Sequence, residues 1–236
     1  MPRPVVCLPT YNERENLERM VRALGPQGVE VLVIDDNSPD GTGQIADRLA
    51  AELDYVSVLH RERKEGLGRA YVDGFRHVLR GDAELVLEMD CDFSHDPADV
   101  PRLIAACEGG ADLALGSRYV PGGGTANWGL VRRLISRCAS IYTRVLLMPI
   151  HDATGGFKCF RRRVLESIEL ETVDAAGYVF QIETTYRALR KGFRVVEVPI
   201  RFVDRTAGSS KMSRAIVLEA IWKVPLLRLQ ALTRRL

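Results

Sequence analysis

Residues 86–95 read VLEMDCDFSH, an apolar run closed by two carboxylates two positions apart. On an extended chain, side chains i and i+2 point to the same side. Asp90 and Asp92 are therefore expected to face one way at the end of a buried strand. Two acids held so close repel and favour protonation unless a cation lies between them. A divalent ion bound by few protein oxygens, with water or phosphate completing its shell, suits Mg2+ or Mn2+ on a nucleotide diphosphate. A calcium loop of the EF-hand type counted from Asp90 is excluded, because its sixth and twelfth positions are His95 and Pro101 rather than Gly and Glu. A solvated Asp-rich turn would use the same residues, so the reading depends on the rest of the chain.

Other motifs have chemical potential and a plainer alternative. In PTYNE (9–13), Thr10 and Glu13 have the spacing of a capping box, which places the start of the first helix there. IDDNSPDGT (34–42) reads as a strand followed by an Asp- and Gly-containing turn that caps the next helix. Its paired acids, Asp35 and Asp36, add an acceptor for a nucleobase or ribose. KEGLG (64–68) has only part of a dinucleotide fingerprint and reads as a turn before a helix. Arg132 and Ser136, four residues apart, share a helix face and can converge on one anion. Arg205 and Lys211, separated by Thr-Ala-Gly-Ser-Ser, form either a cationic loop able to close over phosphates or a plain surface loop. The four histidines, at 60, 77, 95 and 151, have neither metal-ligand spacing nor a nucleophile partner, which argues against a hydrolase triad.

The elements that must position these groups alternate. Strand-like stretches at Pro4 to Pro9, Val29 to Asp35, Val56 to Arg61, Leu85 to Met89 and Ala111 to Ser117 are separated by helical periodicity near 13–24, 42–53, 67–80 and 97–108. Such alternation predicts an α/β fold with a mostly parallel sheet covered on both faces. Ligands bind such sheets beyond the carboxyl ends of the strands, and PTYNE, DDNSPDGT, RKEGLG, DCDFSHD and GSRYVPGGG all fall on that rim. The second half predicts a helix over about 130–147, a Gly-containing link at Thr154 to Phe157, a helix near 178–191 and a strand from Val195 to Phe202.

At 46% hydrophobic and 27% charged residues the chain is not disordered. Five scattered cysteines without a CxxC pair argue against a disulfide framework or a zinc site, and for a reducing compartment. The amino-terminal residues lack a signal-peptide apolar core, and no window is long enough to span a bilayer. The expectation is a cytoplasmic protein. From Arg205 to Leu236, seven basic residues face one acid, so this stretch carries +6 of a net +2 and the remainder carries −4. That asymmetry points to an anionic partner near the carboxyl terminus. An acidic remainder without an aromatic-studded basic groove disfavours nucleic acid.

Taken together, VCLPTYNERENL, VLVIDDNSPDGT, LEMDCDFSHDP, LALGSRYVPGGGTANW, DATGGFKCFRR and DRTAGSSKM resemble the dolichol- or polyprenol-phosphate mannose synthases, inverting glycosyltransferases with the GT-A fold. The resemblance covers essentially the whole chain, with the motifs in the family's order. It implies transfer of mannose from GDP-mannose to a polyprenyl monophosphate with inversion, or, with the fold kept, a glucosyl- or N-acetylglucosaminyl-transferase using a UDP-sugar. By the same resemblance Pro9, Tyr11, Glu13 and Asp36 cradle the nucleoside, and Asp90 and Asp92 hold Mg2+ or Mn2+ at the diphosphate. Ser94 stands where some relatives carry a longer metal-contacting Gln, so a bridging water replaces that contact. Asp92, Arg118, Arg132 and Ser136 form the reaction centre, the last three matching residues that hold the acceptor phosphate. Arg205 and Lys211 match the loop near the donor. Residues 1–212 then form the transferase domain, 1–117 for the nucleotide sugar and 118–212 for the acceptor. Residues 213–236 read as an amphipathic helical tail broken near Pro225, its Trp and cations suited to an anionic inner leaflet or a membrane-protein partner.

Overall fold

The computed structural model describes residues 3–173, 177–204, 222–230 and 233. Its core is a seven-stranded sheet built from β1 (Val5–Thr10), β2 (Glu30–Asp35), β3 (Val56–His60), β4 (Leu85–Glu88), β5 (Leu113–Ser117), β7 (Lys158–Arg161) and β8 (Val195–Pro199). The order is β3-β2-β1-β4-β7-β5-β8, with all pairings parallel except those of β7 to β4 and β5. A parallel strand shielded on both faces is apolar throughout, as in β1, where Val5, Val6, Cys7 and Leu8 are all buried.

Helices α1 (Leu17–Leu24), α2 (Thr42–Glu52), α3 (Leu67–Val78) and α4 (Val100–Glu108) supply the cover. On α3, Ala70, Tyr71, Val72, Gly74, Phe75 and Val78 are buried, and Phe75 meets Phe160 of β7 edge-on at 5.6 Å. The second half adds α5 (Leu130–Leu146), α6 (Arg162–Ser167) and α7 (Gly177–Arg190), and a small parallel pair, β6 (Gly124–Ala126) with β9 (Arg201–Val203).

Three expectations change. The first helix begins at Leu17, and Thr10 ends β1 with its hydroxyl donating to Asp35 Oδ1 at 3.3 Å, so Thr10 and Glu13 form no capping box. The predicted strand at 195–202 divides at Ile200, and β9 leaves the main sheet for β6. Residues 222–230 are helical without a break at Pro225.

Candidate active site

The chain order reverses between β1 and β4, and at such a switch point the loops diverge and open a crevice. A cavity of about 430 Å³ occupies it. The loop after β1 contributes Tyr11 and Glu13, and that after β2 contributes Asp36. Backbone N–H groups tie these loops together: Asn12 donates to Ser38 Oγ at 3.1 Å and Glu13 to Thr42 Oγ1 at 3.0 Å. Asp40 accepts from Thr42 N at 3.0 Å and holds the start of α2. Asp36 is buried against the Arg61 guanidinium, and burial raises its pKa while that cation opposes the rise. Lys64 Nζ stands 3.8 Å from the centre of the Tyr11 ring, and Gly66, at φ +100°, turns the chain into α3 with a backbone that side-chain-bearing residues rarely adopt.

Asp90 and Asp92 both line this cavity, with Cys91 between them buried. Strand β4 ends at Glu88, so Asp90 lies past its end and Asp92 on the bend that follows. Ser94 N donates to Asp92 Oδ1 at 3.0 Å and Phe93 takes a left-handed φ of 58°, which fixes the bend. Two half-buried carboxylates on one wall fit a divalent cation whose other ligands come from phosphate and water. Among the described residues no cluster of three or more His, Cys, Asp or Glu side chains exists that could hold a metal alone.

Arg118, at the end of β5, reaches the same cavity. Its Nε and Nη2 bond Asp152 at 2.7 and 2.5 Å, and Nη2 also bonds Thr154 Oγ1 at 2.9 Å. Asp152, fully buried, thus fixes the plane of the guanidinium. Arg132 lines the cavity from α5, pairs with Asp204 at 2.5 Å and lies 4.3 Å over the Trp128 ring. Ser136 does not line the cavity; it is buried one turn further along α5 and accepts from the Tyr119 hydroxyl at 2.7 Å. The helical spacing is as expected, but Tyr119 occupies the side chain. Arg205 and Lys211 lie outside the described residues.

Several contributors were given no role by the sequence. His95 lies buried in the cavity wall, stacked on Phe157 at 5.0 Å, and burial lowers its pKa to about 4, so it is neutral at pH 7. Thr154, Gly155, Gly156 and Gln181 complete the floor. Asp152 opens the DATGG motif, but its pairing with Arg118 shows only in the fold, as does the place of Gln181 in the lining. The PGGG turn also has a structural duty. A Cβ at Gly123 would stand 2.5 Å from the Ser117 carbonyl oxygen and 3.0 Å from the Arg118 carbonyl carbon. Gly123→Ala is expected to cost about 1–3 kcal/mol in urea unfolding through this overpacking, and to lower activity by displacing Arg118.

A sequence model described as "Glycosyl transferase family 2" matches residues 5–169. The chain belongs to glycosyl transferase family 2. Among curated proteins, this transferase is 52% identical over 227 residues to the polyprenol monophosphomannose synthase of Mycolicibacterium smegmatis, covering 94% of the chain and 85% of that protein. It is 47% identical to the undecaprenyl-phosphate mannosyltransferase of Micrococcus luteus, over 94% of the chain and 92% of the relative. The dolichol-phosphate mannosyltransferase of Pyrococcus furiosus is 39% identical, and the match covers 91% of the chain but 60% of that longer protein. Among solved structures, a mannosyltransferase of Pyrobaculum calidifontis in complex with GDP-Man and Mn2+ superposes with a TM-score of 0.62 at 18% identity, covering 99% of this chain and 74% of that one. The mannosyl-3-phosphoglycerate synthase of Rubrobacter xylanophilus gives 0.64 at 16% identity, over 99% and 73%. The transferase has the GT-A fold expected from its motifs.

Proposed function

We propose that this glycosyltransferase moves mannose from GDP-mannose to a polyprenyl monophosphate, with inversion, giving a β-mannosyl phosphate lipid and GDP. The observation that carries the reading is one cavity with a carboxylate pair on one wall and two arginines on another, in a chain 52% and 47% identical to proteins named for this reaction. A phosphate monoester is already an anion near neutral pH, since its second pKa is about 6. The nucleophile therefore needs no general base, and His95, neutral and packed between rings, need not serve as one.

The work left to the protein is to hold two anions together in line. Residues 1–117 bind the nucleotide sugar, with Pro9, Tyr11, Glu13 and Asp36 around the nucleoside. Residues 118–212 bind the acceptor, with Arg118 and Arg132 toward its phosphate and Arg205 and Lys211 closing near the donor. Ser136 acts through Tyr119 in this reading. Asp90 and Asp92 would hold Mg2+ or Mn2+, which when bound supplies charge stabilisation for the departing diphosphate. Arg118 keeps the orientation given by Asp152, and Asp204 yields Arg132 to the incoming phosphate.

The acceptor's lipid chain places the enzyme at an anionic membrane surface, on its inner face. Among the described residues no helix is long and apolar enough to cross a membrane. Helix α5, which carries Arg132 into the cavity, exposes Leu130, Val131, Leu134, Ile141 and Val145 on its outside, between Arg133, Arg137 and Arg144. The segment 222–230 packs Val224 and Leu227 beside Leu147 and Met148, joins α5 through Arg228 Nη1 and the Leu146 carbonyl at 3.0 Å, and exposes Trp222, Leu226 and Leu229. Apolar side chains flanked by arginine fit a lipid interface. Leu134→Asp with Val145→Asp is expected to weaken cosedimentation with acidic vesicles by about tenfold or more. Undiminished binding would move the contact elsewhere.

The deciding assay is transfer of labelled mannose from GDP-mannose to a short polyprenyl phosphate, with and without EDTA. An EDTA-sensitive mannosyl lipid is expected. Transfer from a UDP-sugar alone would keep the fold and overturn the donor.

A further inference from the structure

The arginine on the acceptor side is held from behind by more than its own partner. Asp152 accepts three times from Arg118: from the backbone N–H at 2.8 Å, from Nε at 2.7 Å and from Nη2 at 2.5 Å. Yet Asp152 lies in the link between α5 and β7, where no helix or strand fixes the chain. A side chain orients its partner only as firmly as its own backbone is held. Glu197, on β8, holds this backbone. Its Oε2 accepts from His151 N and its Oε1 from Asp152 N, both at 3.0 Å, while His151 Nδ1 lies 2.8 Å from Oε2.

The Glu197 side chain is only 10% exposed, and a carboxylate so placed is costly unless its oxygens find donors. Here each oxygen accepts a backbone N–H. Two adjacent N–H groups need two acceptors, which a carboxylate offers and a side-chain amide, with one oxygen, does not. Strand β8 also borders β5: Glu197 lies opposite Leu115, and Ile200 N donates to the Ser117 carbonyl at 3.0 Å. One strand therefore ties down both the strand end that leads into Arg118 and the link that carries Asp152. The guanidinium so held lines the cavity, and a planar fork meets phosphate oxygens by angle as well as by charge. We propose that Glu197 is a positioning residue for transfer: by holding the N–H groups of His151 and Asp152 it fixes the Asp152 carboxylate, and through it the angle at which Arg118 meets the acceptor phosphate. This role rests on the proposed function, in which Arg118 faces that phosphate.

The test measures kcat and KM for both substrates in wild type, Glu197→Gln, Arg118→Lys and the double variant, with active enzyme counted by GDP binding. Glu197→Gln keeps the shape of the side chain but sets an NH2 against one of the two N–H groups. Its kcat/KM for polyprenyl phosphate is expected to fall about 10- to 100-fold, the cost of a clamp displaced by about 1 Å, while KM for GDP-mannose is unchanged. Beside Arg118→Lys, where no planar fork remains to be oriented, the same substitution should add little. Glu197→Asp, which keeps both acceptors on a stem one methylene shorter, should show the same pattern at smaller size and serves if Glu197→Gln folds poorly. His151→Ala removes the ring and leaves both N–H bonds, so transfer should persist. A loss as large in His151→Ala, a rise in KM for both substrates, a full loss that persists beside Arg118→Lys, or no loss at all overturns the role. A wild type inactive with polyprenyl phosphate overturns the proposed function and this role with it; an active wild type beside an unaffected Glu197→Gln overturns the role alone.

Discussion

Asp92→Asn is expected to reduce transfer by roughly 10³-fold, the scale of several kcal/mol of lost charge stabilisation, while leaving the thermal midpoint nearly unchanged. The two halves of that expectation have separate causes. Asn keeps an Oδ1 that can accept from Ser94 N, the 3.0 Å bond that fixes the bend after β4, so the fold retains its local anchor. What disappears is one of the two carboxylates that follow β4 on that wall of the cavity, and with it the affinity for a divalent ion beside the diphosphate. Excess Mn2+ should restore part of the activity, because weakened binding responds to concentration. Asp96→Asn is the control: Asp96 is exposed and accepts from Ala98 N at 2.9 Å, a role Asn also fills, and activity should persist. Full activity of Asp92→Asn would place the cation elsewhere.

How much of this was legible depended on whether residues acted near their own sequence position. β1 to β5 and α2 to α4 lie within a few residues of where periodicity puts them, because each is a continuous apolar run or face that must be covered. The strand β7 escaped notice for a physical reason: in KCFR a fully buried Lys158 opens the strand and interrupts the apolar signal. That one omission left the link at Thr154 to Phe157 without a place, since β7 is what brings Thr154, Gly155 and Gly156 to the rim between β4 and β5. Tyr11, Glu13, Asp36, Asp90, Asp92, Arg118 and Arg132 were nameable because they follow strand ends or carry family motifs. Thr10 misled because the capping spacing was present without a helix to cap. Ser136 misled because helical spacing fixes a face, not which neighbour on that face reaches the hydroxyl first.

Lys158→Met is the second variant with a large expected effect, this time on stability. Lys158 and Glu88 are both wholly buried, 3.2 Å apart, and removing one partner strands the other charge at a cost of about 3–5 kcal/mol. For a chain of this size that corresponds to a fall of about 10 °C in Tm. Desolvation already raises the pKa of Glu88 and lowers that of Lys158. Without the ammonium, Glu88 titrates higher still. A carboxyl whose folded pKa exceeds its unfolded value costs nothing below the latter, and stability is lost as pH rises through the folded one. The deficit of Lys158→Met in urea unfolding should therefore be smallest at acidic pH and grow as pH rises. Adding Glu88→Leu should remove the pH dependence and recover part of the loss, but not all of it, since Gln181 Oε1 and Thr184 Oγ1 still lack their donor. A deficit independent of pH would mean that the pair has already exchanged its proton and holds the floor as neutral amine and acid. Gln181 would then be oriented by an uncharged hydrogen bond, and its geometry would survive while the electrostatic cost vanished.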